Sequence, residues 1–214
     1  MSEERSYHHG ELKEALITEA VAVIARDGAD GLSLRDLAKR LGVSPAAPFR
    51  HFPTKAALLT AVAEQSMARL VESVRLAMED RANHTAMTGI RTMAQGYVRW
   101  ALENPTHFLV VSSRSLIDFA GSDLLVTQNE TLRQNLETLF RQAQAEGSIS
   151  AGWALEDLML LARGTAYGLA RMATDGHLPE WKVEKPAPIA IEAAISLFID
   201  LLSGARAPSQ DSAI

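Results

Sequence analysis

The stretch SLRDLAKRLGVSPAAPFRHFPTKAALL, Ser33 to Leu59, limits the possible folds more than any other part of the chain. Gly42 and Pro53 break it, leaving two segments, 33–41 and 43–52, each shorter than the roughly 12 residues at which an isolated helix becomes stable in water. Ser33 suits an N-cap, and Asp36 at N3 can imitate the glutamate of a capping box. Leu34, Leu37, Ala38 and Leu41 then share one face. Ser44 is a second candidate cap, and Pro45 fits the first helical position, where its missing N–H is harmless. Pro48 fits less well: at the fourth position it gives up the bond to the Ser44 carbonyl and crowds it, so a distorted turn is expected. Pro53 and Thr54 stop this segment and cap the next. Upstream, Leu12, Leu16, Ala20, Val23 and Ile24 make a helical face over Glu11–Asp27 that ends at Gly28. Three such short helices with tight connections are stable only when packed together as one unit.

Helical periodicity continues downstream, and alanine and leucine outnumber β-branched runs, so the expectation is an all-α protein of about nine helices. A fourth helix is expected over 54–80, then others near 84–103, 105–119, 122–146, 154–174 and 187–203, with DGHLPEWKVEKPAP as a linker before the last. In that last helix Ala190, Ala194, Leu197, Phe198 and Leu201 line one side. Ile191, Ile195, Ile199 and Leu202 extend the apolar surface, leaving a narrow polar stripe. A helix apolar over most of its circumference must be covered, either as an internal core helix or as half of a subunit interface.

Composition excludes several functions. The chain has no cysteine, so disulfides, thiolate metal sites and a cysteine nucleophile are ruled out, and a cytoplasmic location is expected. The charged start MSEERSYHHGELKE lacks a signal-peptide core, and no membrane span is expected. No HExxH, Walker or nucleophile-elbow motif occurs, and His84 and His107 lack spaced acidic partners, so no enzyme and no cofactor are expected. The pair His8-His9 without an acidic companion is read as tail or phosphate contact and not as a metal site. The formal net charge is −5, yet residues 1–55 carry eight Lys/Arg against eight Asp/Glu, so the remainder holds all the excess negative charge. That asymmetry fits a two-part protein without a polybasic clamp.

A helix-turn-helix needs a short exposed second helix that fits the major groove. Small residues at Ser44, Ala46 and Ala47 permit close approach. Ser44 can donate to a base or phosphate, and either alanine can touch a thymine methyl. Arg50, His51 and Lys55 can contact backbone oxygens, which sets position without reading sequence. The competing reading is a small helical core with Phe49 and Phe52 buried and the polar side chains merely solvated.

From Tyr7 to Leu59 the sequence closely resembles the DNA-binding domain of the TetR family of bacterial transcriptional regulators, across YHHGELKEALITEAVAVIARDGADGLSLRDLAKRLGVSPAAPFRHFPTKAALL. The rest resembles more loosely a subgroup with a Trp-x-x-x-His-Gly signature. The resemblance implies that Ser44–His51 is the reading helix. Phe49 stands where the family usually has a phosphate-binding tyrosine, so a hydroxyl contact is lost while the ring can pack. Thr18, Ser33 and Arg35 occupy positions that approach the DNA backbone, and Tyr7, His8 and His9 match an arm that reaches DNA.

It also implies a larger domain that dimerises through its last two helices around an effector pocket, with an effector changing the separation of the reading heads. Met93, Tyr97, Trp100, Phe108, Phe119, Met159, Arg163 and Tyr167 are the pocket candidates, with core packing the plainer alternative for each. RGTAYG departs from the signature, with Arg163 at the tryptophan position and Tyr167 at the histidine position, so the effector is expected to differ and to be anionic or carbonyl-bearing. Leu158, Ala162, Ala194, Leu197, Phe198 and Leu201 are the expected dimer contacts. The expected division is 1–55 for DNA binding, 56–205 for effector binding and dimerisation, and a disordered tail at 206–214. The expected function is a ligand-responsive repressor that binds a palindromic double-stranded operator as a homodimer with an unknown small-molecule effector. The alternative is a helical sensor or interaction protein that binds DNA weakly.

Overall fold

The computed structural model describes the backbone of residues 9–79 and 85–204. Helix α1 is His9–Asp27, α2 Leu34–Arg40, α3 Lys55–Glu79, α4 Ala86–Glu103, α5 Pro105–Ser112, α6 Asp123–Ala145, α7 Leu155–Thr174 and α8 Ala187–Gly204. Two 3-10 turns, Pro48–Arg50 and Leu178–Trp181, complete the described elements. Among the described residues the protein is all-α, as expected, but with eight α-helices in place of nine.

The missing one is the helix expected over Ser44–His51. The Ala47 N–H reaches back three residues to the Ser44 carbonyl (3.0 Å), and Arg50 N–H does the same to Ala47 (3.2 Å). Pro48 has no N–H for the Ser44 carbonyl, so the chain winds as a tight 3-10 turn, the tolerated form for short pieces. The helix expected over 105–119 ends at Ser112 for a related reason. The Ser113 hydroxyl donates to the Leu109 carbonyl (2.6 Å) and Arg114 Nη1 to the Val111 carbonyl (2.8 Å), drawing on acceptors that a continuing helix would use.

The chain divides into two compact units. One comprises the described residues of Met1–Ala68 with Thr106–Thr127, the other those of Arg69–Pro105 with Gln128–Ile214. In the first, the core is Leu16, Ile17, Ala20, Val23, Ile24, Leu37, Ala38, Phe52, Leu58 and Leu59. Ser33 caps α2, its hydroxyl accepting from the Asp36 N–H at 3.5 Å. Gly42, at φ +67°, ends α2 in a left-handed cap. Its N–H bonds the Lys39 carbonyl and the Val43 N–H bonds the Ala38 carbonyl, which turns the chain sharply toward Ser44. Thr54 caps α3 by accepting from Ala57 N–H at 3.0 Å.

In the second unit α4 packs against both α7 and α8, and α7 against α8. Leu158, Ala162, Ala166 and Ala170, four residues apart along α7, are buried, and from α8 so are Ile191, Ile195 and Ile199. An Arg91–Asp200 ion pair at 2.6 Å joins α4 to α8. On α6 Arg133 bridges Glu130 and Glu137, which also takes Arg141; these guanidinium groups hold both glutamates below their ordinary range. Such exposed pairs are screened by water and add little to the stability of the fold.

By length and composition α8 is apolar enough to cross a membrane, with a mean hydropathy of 1.6 over 18 residues. Its three buried isoleucines, its ion pair to Arg91 and its packing on α4 and α7 show why such a helix serves a helical bundle equally well.

Candidate functional site

The 44–50 segment is held from beneath and open above. Pro48 and Phe52 are buried, Phe52 at 3% exposure, and anchor the turn against α1 and α2. Ser44, Ala46, Phe49 and Arg50 are exposed, while Ala47 and His51 are half-buried. The proline that prevents an α-helix is therefore also the residue that fixes the turn to the core. Phe49, at 42% exposure, is not the core aromatic that the plainer reading required.

The flanking candidates lie at helix starts. Arg35 is exposed in the first turn of α2, and Ser33 is its half-buried cap. Thr18 is exposed on α1. Lys55 opens α3 half-buried, and its Nζ donates to the Asp30 carbonyl at 3.2 Å, which ties α3 to the turn after α1. The His51 ring lies 6.5 Å from that of Phe52, tilted by 50°. Tyr7 and His8 lie outside the described residues, as do His84 and the tail 206–214. Among the described residues no cluster of His, Cys, Asp or Glu could hold a metal ion.

A polar connection absent from the sequence reading runs from α3 to the segment before α6. Thr60 Oγ1 accepts the Asp118 N–H (2.9 Å) while donating to the Ala56 carbonyl. The Ser122 hydroxyl donates to Glu64 Oε1 (2.7 Å) and accepts from Leu125 N–H (3.3 Å), so the cap of α6 is anchored on α3. The period-four spacing of Thr60 and Glu64 was visible in the sequence; their partners, 58 residues away, were not.

The effector candidates fall into two groups. Phe108 and Phe119 belong to the first unit, with the Arg114 guanidinium 3.7 Å above the Phe119 ring. Met93, Tyr97, Trp100, Met159, Arg163 and Tyr167 belong to the second. Met93 and Trp100 are buried, whereas Tyr97, between them on the same face of α4, is half-buried. Arg163 on α7 donates from Nη1 to the Tyr97 hydroxyl at 2.7 Å, and its guanidinium lies 4.9 Å from the Tyr97 ring and 5.3 Å from that of Tyr167. A separate groove of about 100 Å³ between α4 and α8 is lined by Val98, Arg99, Leu102, Pro188, Glu192 and Ile195, among others, and by none of the expected residues.

The expected dimer contacts also divide. Leu158 and Ala162 are buried inside the protomer, because their stripe of α7 faces the core. Leu197 and Leu201 of α8 are exposed at 60% and 63%, and Ala194 and Phe198 are half-buried. The exposed apolar residues of α7 are Leu160 (73%) and Leu161 (51%), beside Gly164, where an added Cβ would meet nothing. The signal that could have found them is the run LMLLARG, whose leucines cannot all lie on one stripe.

Residues 16–62 match the family described as bacterial regulatory proteins, tetR family, and residues 90–209 match the tetracyclin repressor-like C-terminal domain. A protein of unknown function from Rhodococcus sp. RHA1 is similar in structure, with a TM-score of 0.75 and 31% identity, over 94% of this chain and 100% of that one. The nucleoid occlusion factor SlmA of Klebsiella pneumoniae is 24% identical over 169 residues, 78% of this chain and 83% of its own. The regulator FadR of Bacillus subtilis, solved with stearoyl-CoA, has the same fold at a TM-score of 0.67 and 15% identity, over 90% of this chain and 99% of its own.

Proposed function

Because this chain belongs to the tetR family of bacterial transcriptional regulators, we propose that it is a cytoplasmic, homodimeric repressor that reads a palindromic operator and releases it on binding a small-molecule effector. The observation that carries the DNA half is the 44–50 turn. Buried Pro48 and Phe52 hold it rigid, while small Ser44 and Ala46, with Phe49 and Arg50, face outward. Small residues let the backbone come close to base edges, Phe49 offers an apolar surface for a thymine methyl or sugar, and Arg50 supplies a phosphate contact. Arg35 and Lys55, at the starts of α2 and α3, add cationic contacts. Lys55 keeps the Asp30 carbonyl as its resting partner.

The exposed leucines of α7 and α8 support the dimer, since a two-fold interface covers the same patch on both copies. The effector half rests on the half-open aromatic cluster of α4 and α7. FadR, solved with stearoyl-CoA, is an instance of this fold that holds a small molecule.

Selection of bound duplexes from a random pool at near-physiological salt tests this. A palindromic consensus is the expected result. A folded protein that enriches no sequence overturns the operator reading and favours a sensor that binds DNA weakly, for which the neutral charge of residues 1–55 and the missing hydroxyl at Phe49 already argue.

A further inference from the structure

We propose that Arg163 is the anion-recognition residue of the effector site, and that the effector is a small amphipathic carboxylate whose charged group docks on its guanidinium. The inference rests on the effector reading above and names the ligand class for it.

The argument begins with how arginines are satisfied in this unit. Arg75, Arg91, Arg133, Arg141 and Arg171 each rest on a carboxylate. Arg163 does not. Among the described residues no carboxylate lies within ion-pair distance of it, and its neighbours are the two tyrosine rings and one phenol oxygen. A guanidinium carries five N–H donors in a planar fork, so a single bond to Tyr97 leaves most of that fork unused. The ring faces attract the cation and fix its plane, and so reduce the entropy lost when a planar anion binds.

The surroundings define the rest of the ligand. Tyr97 lies on the core-facing stripe of α4, between buried Met93 and buried Trp100, yet keeps partial exposure. Met159 is one turn before Arg163 on α7 and is also half-buried. Thioethers and ring faces suit an apolar body of adaptable shape. Arg163 is exposed, so its fork is open to a monoanionic carboxylate, which it matches in two-pronged fashion.

The test is a fragment screen by ligand-observed NMR on the full chain, using carboxylates paired with their primary amides and repeated on Arg163→Gln and Arg163→Lys. Circular dichroism and sedimentation confirm that both variants stay folded and keep the wild-type oligomeric state. Carboxylate hits are expected to bind the wild type at least tenfold more tightly than their amides. Arg163→Gln should abolish that preference and Arg163→Lys should keep part of it. Amides binding as well as acids, or acids binding Arg163→Gln unchanged, overturn the carboxylate assignment while leaving an effector site in place. No hit of either class overturns the effector reading itself, and this assignment with it.

Discussion

Replacing both Leu197 and Leu201 with aspartate tests whether the outer face of α8 is the subunit contact. Burying a whole leucine side chain contributes about 1.5–3 kcal/mol. At 60% and 63% exposure, each of these two has about 1–2 kcal/mol left to gain from a partner. Two-fold symmetry uses each position twice, so the pair contributes about 4–8 kcal/mol to association before any penalty for covering a carboxylate. The double variant should therefore raise the dimer dissociation constant at least about a thousandfold. Sedimentation equilibrium across a concentration series measures this, with circular dichroism confirming that helix content is kept. Helicity should persist, because neither leucine contributes to the protomer core. An unchanged dimer of normal helicity would refute the reasoning and remove α8 from the interface. Leu158→Ala is the contrast: at 3% exposure it should cost the fold about 2–5 kcal/mol and leave association of the folded protein alone.

Other substitutions follow from the same geometry. Gly96 lies inside α4 with space for a methyl group, since an added Cβ would sit 3.5 Å from the Ala77 Cβ, an ordinary contact. Gly96→Ala should add about 0.5–1 kcal/mol and raise the melting temperature by a few degrees (~2–4 °C), as thermal unfolding would show. Ser122→Ala removes the cap of α6 and the partner of half-buried Glu64, and should lower stability by about 1–2 kcal/mol in denaturant titration. Arg50→Ala should weaken binding to all duplexes alike and reduce the slope of log affinity against log salt by about 0.9. A changed base preference would instead make Arg50 a reading residue.

Much of this was legible locally. The caps at Ser33 and Thr54, the stops at Gly28 and Gly42 and the all-helical class follow from short-range chemistry, which residues a few positions apart determine between themselves. Pro48 shows the limit of such reasoning. Its distorting effect was expected, but not that the segment would be left as a turn with a 3-10 piece at Pro48–Arg50 and the proline as its buried anchor. The end of α5 at Ser112 was missed because serine and arginine side chains compete for carbonyls there, a contest that periodicity does not register.

The sequence by itself determined most of the helices and their order, because these depend on local backbone preference and on the period of apolar residues, while the family was legible through resemblance over Tyr7–Leu59. Only the tertiary structure decided which face of each helix was used. α7 and α8 are apolar on more than one side, and the choice between Leu158 and Leu160, or between Ile195 and Leu197, depends on where α4 packs. The same holds for Arg163: its setting between Tyr97 and Tyr167 requires α4 and α7 to meet across 66 residues of chain, a distance over which no local rule operates.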